Sequence, residues 1–105
     1  MLNREIAINT AQTFIEDLKK MGYHPTSAYI FGSVINGPIH EYSDIDLALW
    51  DSKFTGALHL DYDTLKHLLM KYKEIELHPY NTADTEETNP FIGEIKKTGI
   101  ELRIK

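Results

Sequence analysis

The sequence contains no cysteine, which removes disulfides, cysteine-ligated zinc and thiol catalysis together. It has no run of 18 apolar residues and no charged-then-apolar leader after Met1, so neither a membrane span nor a secretory signal is expected, and the cytoplasm is the expected location. Positive charge is also in short supply: eleven Lys and Arg stand against sixteen Asp and Glu, for a net charge of −5. The basic residues come only in pairs, Lys19-Lys20, Lys71-x-Lys73 and Lys96-Lys97. Each pair falls near the end of an expected helix, where a cation favours the negative end of the helix dipole. A nucleic-acid partner is not expected, because phosphate neutralisation without sequence readout needs clustered Lys and Arg.

What is present suits one compact domain. The chain has 105 residues, 42% of them hydrophobic and 26% charged, enough to bury one core. No repeat, linker or low-complexity tract divides it, so residues 1–105 are read as a single domain. From Asn3 to Met21, Ile6, Ala7, Ala11, Phe14, Ile15, Leu18 and Met21 recur at intervals of three and four, predicting an amphipathic helix capped by Asn3 and ended by Gly22. A second helix is expected after the polar stretch 51–61, with Asp61 or Asp63 as its cap and Leu65, Leu68, Leu69 and Tyr72 as its buried stripe. Residues 81–88 read as an acidic, mobile loop without apolar anchors. Asn89-Pro90 then reads as the cap and first position of a short helix with Phe91, Ile92 and Ile95 as its stripe, and Ile100, Leu102 and Ile104 alternate as a closing strand.

The chemistry gathers in residues 29–50, YIFGSVINGPIHEYSDIDLALW. An apolar strand from about Ser27 to Phe31 stops at Gly32-Ser33, and Asp44-Ile45-Asp46 leads into a second apolar run ending at Trp50. Side chains alternate along a strand, so Asp44 and Asp46 are expected on one face, about 7 Å apart along the backbone. Paired carboxylates suit a hard divalent cation, which leaves further positions for water and phosphate oxygens. Gly32 lets backbone approach a phosphate, and Ser33 offers a hydroxyl and an amide beside it. His40 and Glu41, in the intervening loop, read as solvated residues close to the aspartates. Later, Glu74, Glu76 and His78 alternate with Ile75 and Leu77. That strand could complete a metal site with its polar face, although any half-exposed strand shows such alternation.

Gly32-Ser33, ten intervening residues and then Asp44-x-Asp46 on an apolar strand resembles the signature of the DNA polymerase beta-like nucleotidyltransferase superfamily, and the short chain points to its minimal nucleotidyltransferases. The resemblance implies an α+β fold with a mixed sheet of about four strands packed against helices. It implies that Gly32 and Ser33 hold the triphosphate, and that Asp44 and Asp46 hold metal, most simply two Mg²⁺ ions, with Mn²⁺ as a substitute. It also implies a third carboxylate from a later strand, which maps best to Glu76, with Glu74 and His78 as rivals. Glu76 is preferred because Glu74 lies at the strand start, and because His78 is a softer ligand whose position is about 7 Å along the strand from that of Glu76. The sequence departs from many minimal members in having Val34 and Ile35 where arginines commonly follow Gly-Ser.

The implied reaction moves a nucleoside monophosphate, AMP from ATP being the expected case, to a hydroxyl. The acceptor is expected on a partner, since minimal nucleotidyltransferases are commonly paired with a helical HEPN-type protein as antitoxins of toxin–antitoxin modules, in some cases adenylylating a tyrosine of the toxin. The alternative is a non-catalytic subunit that neutralises a helical partner by covering it.

Overall fold

The computed structural model describes residues 3–32, 35 and 44–104. Helix α1 spans Arg4–Lys20. The Asn3 side chain accepts a hydrogen bond from the Ile6 amide at 2.9 Å, satisfying a first-turn donor that would otherwise lack a partner. Ala7, Ala11, Phe14, Ile15 and Leu18 form the buried stripe. Ile6 and Met21, expected to belong to it, are 45% and 42% exposed. The alanines allow the helix to lie close on the sheet, and Phe14 reaches across to Tyr72 in an edge-on ring contact at 5.3 Å. The guanidinium of Arg4 donates to the Ile35 carbonyl at 3.2 Å, tying the start of α1 to the segment that follows the Gly32 corner.

Four strands form one mixed sheet. In chain order they are β1 (Ser27–Phe31), β2 (Ile45–Trp50), β3 (Ile75–Tyr80) and β4 (Ile100–Glu101), and across the sheet the order is β3-β2-β1-β4. Strand β2 is antiparallel to β1 and parallel to β3, and β4 pairs antiparallel with β1. Parallel neighbours require a crossover, which helix α2 (Leu58–Lys71) supplies. Helix α3 (Pro90–Thr98) follows β3; the Asn89 side chain accepts from the Phe91 amide, and Pro90 sits in the first turn.

The central strand β2 is covered on both sides. One face of the sheet, with Ala28, Ile30, Ile45, Leu47, Leu49, Ile75 and Leu77, packs with Phe14, Leu18, Leu65 and Leu68 of α1 and α2. On the other face Phe31, Ala48, Trp50 and Tyr80 pack with Ile92 and Ile95 of α3. Burial of each large side chain contributes about 1.5–3 kcal/mol. The second face is apolar at its α3 end and polar where β2 and β3 begin, so α3 covers only part of it. Three helices and a four-stranded mixed sheet among the described residues make an α+β fold.

Four local expectations change. Helix α2 begins at Leu58, with Ala57 at the cap position and no side-chain cap. Asp61 therefore lies inside the helix, buried, and accepts hydrogen bonds from the amide and hydroxyl of Thr55. Asp51, read as part of a surface loop, is only 1% exposed and accepts from the amides of His24 at 2.7 Å and Lys53 at 2.8 Å. The last strand stops at Glu101, pairing with Tyr29 and Ile30 of β1, although the Leu102 amide still donates to the Ala28 carbonyl at 2.8 Å. The segment 81–88 is tied down through polar groups: Asn81 donates to the Phe54 carbonyl at 2.9 Å, and the Trp50 indole donates to the Asp84 carbonyl at 3.0 Å.

Candidate active site

The candidate site lies on the α3 side of the sheet, beyond the part that helix covers. Strand β1 ends at Phe31, whose register partner is Asp46. The next residue, Gly32, has φ +82°, and a Cβ built there would collide with the Asp46 carboxylate. Glycine is therefore needed twice over, for the left-handed backbone and for the close approach of the corner to Asp46.

Asp46 is in turn the register partner of Glu76 across the parallel β2–β3 pair. His78, two residues on, shares the Glu76 face and brings its Nε2 to 3.4 Å from Asp46 Oδ1. Asp46, Glu76 and His78 each offer one ligand atom, and the three atoms lie within 4.8 Å of one another. Asp44 is exposed and directly precedes β2, outside this cluster. Glu74 is exposed before β3; its carbonyl accepts from the Ile45 amide at 2.7 Å, fixing the strand register. Ser33, His40 and Glu41 lie outside the described residues.

The resemblance maps its later carboxylate to Glu76, with Glu74 and His78 as rivals, and the register sets Glu76 opposite Asp46. Spacing along the strand sets His78 aside, and there the geometry differs. Positions two apart are about 7 Å apart along the backbone, but diagonal neighbours on adjacent strands remain within reach of long or aromatic side chains. The His78 ring leans back along its strand toward Asp46, supported by the ring of Phe31 at 4.9 Å between centroids and that of Phe91 at 6.3 Å. Phe91, expected in the buried stripe of its helix, is 46% exposed and borders the site. The alternation of Glu76 with His78 was the signal that could have found this arrangement.

Charges in the cluster act on one another. A hydrogen bond with Asp46 raises the Glu76 carboxyl above its ordinary value; burial and the Asp46 charge push the same way, and His78 opposes them. Burial lowers the His78 imidazole, with the Glu76 charge opposing. Two carboxylates crowded together favour retention of a proton between them, and a divalent cation relieves the same repulsion. Two carboxylates and an imidazole converging on one point are a donor set that fits such a cation. A groove of about 260 Å³ runs beside the cluster along β3, lined among others by Gly56, Leu58, Glu76, His78 and Tyr80.

No helix among the described residues is long and apolar enough to cross a membrane. No curated protein matches the chain. The family described as Polymerase beta, Nucleotidyltransferase matches residues 12–105, a span that takes in the Gly32 corner, the strand bearing Asp46 and the strand bearing Glu76. With that match joined to the mixed sheet and its acidic cluster, the chain belongs to the polymerase beta nucleotidyltransferase family.

Proposed function

We propose that this chain is a single minimal nucleotidyltransferase domain that transfers a nucleoside monophosphate, AMP from ATP, to a hydroxyl on a partner protein. The observation that carries the reading is the register pairing of Asp46 with Glu76 beside a corner that only glycine fits. In the transfer, the acceptor oxygen forms a bond to the α-phosphorus, the bond from that phosphorus to the bridging oxygen breaks, pyrophosphate leaves with the electron pair, and the proton of the acceptor hydroxyl passes to solvent water. Asp46 and Glu76, with Asp44 from the preceding residue pair, would hold divalent metal, Mg²⁺ in the simplest case. When bound, the metal neutralises the triphosphate and lowers the cost of deprotonating the acceptor. Gly32 gives the backbone room to approach the outer phosphates, and Ser33 supplies donors to them.

The expected partner is a helical HEPN-type protein, with this chain acting as antitoxin in the cytoplasm. Family membership supports that pairing. The test is incubation with ATP labelled at the α-phosphate and the protein encoded beside it. Label retained on the neighbour, dependent on divalent metal, is expected; labelled free nucleotide alone would reject a protein acceptor.

A further inference from the structure

The cluster holds one group that the nucleotidyltransfer chemistry above does not use. His78 is not required by the paired-carboxylate motif, yet its Nε2 faces Asp46 Oδ1 at 3.4 Å and lies in the same 4.8 Å group as the Glu76 carboxylate. A separation of 3.4 Å is long for a hydrogen bond, which for nitrogen and oxygen runs to about 3.2 Å. It is close to the spacing of adjacent ligands around one ion: with bonds of about 2.1 Å, neighbours sit about 3.0 Å apart in an octahedron and about 3.4 Å apart in a tetrahedron. The ring is also held in place. Its side chain is 27% exposed, Phe31 meets it edge-on, and Phe91 lies against it on the solvent side. A ligand with few rotamers left to lose binds a metal at lower entropic cost.

We propose that His78 is a direct ligand of the metal held by Asp46 and Glu76, and that this imidazole makes the site select Mn²⁺ or a similar transition ion over Mg²⁺. Imidazole suits iron, nickel, copper and zinc best, and Mn²⁺, the weakest binder of that transition series, still takes nitrogen beside oxygen, whereas Mg²⁺ takes oxygen almost exclusively. A site built of carboxylates alone would discriminate between these ions weakly. The inference rests on reading the cluster as the metal site of the proposed transferase, but its test needs neither nucleotide nor acceptor.

The full chain is loaded with Mn²⁺ alone, and pulsed electron paramagnetic resonance reads whether a histidine nitrogen couples to the ion. Competition titration then compares Mn²⁺ with Mg²⁺. The expected result is a nitrogen coupling in the native chain that persists when the other four histidines, His24, His40, His59 and His67, are replaced by glutamine. Mn²⁺ should also bind at least about tenfold tighter than Mg²⁺, a preference that His78→Gln lowers to about twofold by weakening Mn²⁺ alone. Absence of the coupling in the native chain, its loss in the fourfold variant, or a preference unchanged by His78→Gln would overturn the proposal. Metal-dependent nucleotide transfer by a chain that shows no nitrogen coupling would reject His78 and leave the transferase reading standing.

Discussion

Asp46 and Glu76 stand directly opposite each other on neighbouring parallel strands, 30 residues apart in sequence, and the proximity of Asp46 helps hold the Glu76 carboxyl above its ordinary value. Strand pairing, which the backbone enforces, thus fixes the distance between the two acids more firmly than any loop could. The function assigned to them depends on that rigidity.

Replacing Glu76 with glutamine removes one anion while preserving shape and strand pairing. The transfer rate should fall at least about 100-fold, in line with losing an element that positions the reacting groups, and the melting temperature should change little because Glu76 is exposed. Glu74→Gln, on a residue before the strand, should leave the rate within about twofold, as surface changes away from a site do. Steady-state kinetics of the two variants decide the assignment; equal losses would reject it.

Asp44→Asn combined with Asp46→Asn separates catalysis from mere covering of a partner. Transfer should vanish while the circular dichroism spectrum stays native. If cells expressing the double variant are still fully protected from the partner, neutralisation works by binding, and the proposed enzymatic protection fails.

Gly32→Ala should act on the site as well as on the backbone. The left-handed conformation costs about 1–2 kcal/mol for a residue with a Cβ, and that Cβ would press on the Asp46 carboxylate. Chemical denaturation should register the modest destabilisation, and metal titration should show weakened binding. Native metal affinity in Gly32→Ala would show that the corner does not constrain Asp46.

Asp51→Ala should be costly for a different reason. It strips the acceptor from two backbone amides in a place that is 1% exposed, and buried donors left without partners cost about 1–3 kcal/mol each. Equilibrium unfolding in urea should show a loss of about 2–4 kcal/mol. Asp51→Asn, which keeps one acceptor oxygen, should lose less.

The contact between α1 and α2 sets a pH dependence at both ends of the scale. The Asp17 carboxylate accepts from the Tyr72 hydroxyl at 2.6 Å and from Lys71 at 2.9 Å. The Tyr72 hydrogen bond chiefly, and then the one from Lys71, lower the Asp17 carboxyl below its ordinary 3.8. A lowered carboxyl contributes stability above its unfolded value, and that contribution disappears as pH falls past 3.8 and through the folded value. Burial first, and the bond to Asp17 second, push the Tyr72 phenol up to about 12 from 10.0. A raised phenol gives stability that is complete below 10 and lost as pH climbs toward 12. Melting temperature followed against pH should therefore fall at both extremes, and Tyr72→Phe should flatten both limbs. An unchanged alkaline limb in that variant would assign the loss there to other groups.

Periodicity along the chain made the main helices and strands legible, because each buries one face and the apolar residues recur accordingly. Asn3 and Asn89 could be read as caps for the same reason: local hydrogen bonding leaves a local mark. Asp51 could not, since an acidic residue in a polar stretch looks solvated until the amides that surround it, from residues as distant as His24, are in place, and Asp61, which reads as a cap, instead lies inside its helix and accepts from Thr55. The site divides along the same line. Gly32 and Asp46 follow from motif spacing and strand alternation, whereas Glu76 comes from the resemblance, which calls for a carboxylate on a later strand and leaves Glu74 and His78 as rivals. His78 depends on how far a side chain reaches diagonally between strands, and the exposure of Phe91 depends on how much of the sheet a nine-residue helix can cover; neither quantity is carried by sequence spacing.

Strand β3, at the rim of the sheet, has a further consequence for self-association. The amides of Ile45 and Asp51 donate to the carbonyls of Glu74 and Tyr80, so even-numbered residues of β3 direct their backbone groups toward β2 and odd-numbered ones direct theirs outward. Residue 79 is one of the outward positions, and as proline it has no N–H to offer. A strand from another molecule would meet an interrupted row of donors there. The parallel pairing that assembles the cluster thus ends in an edge poorly suited to templating another strand, which guards the chain against edge-to-edge aggregation.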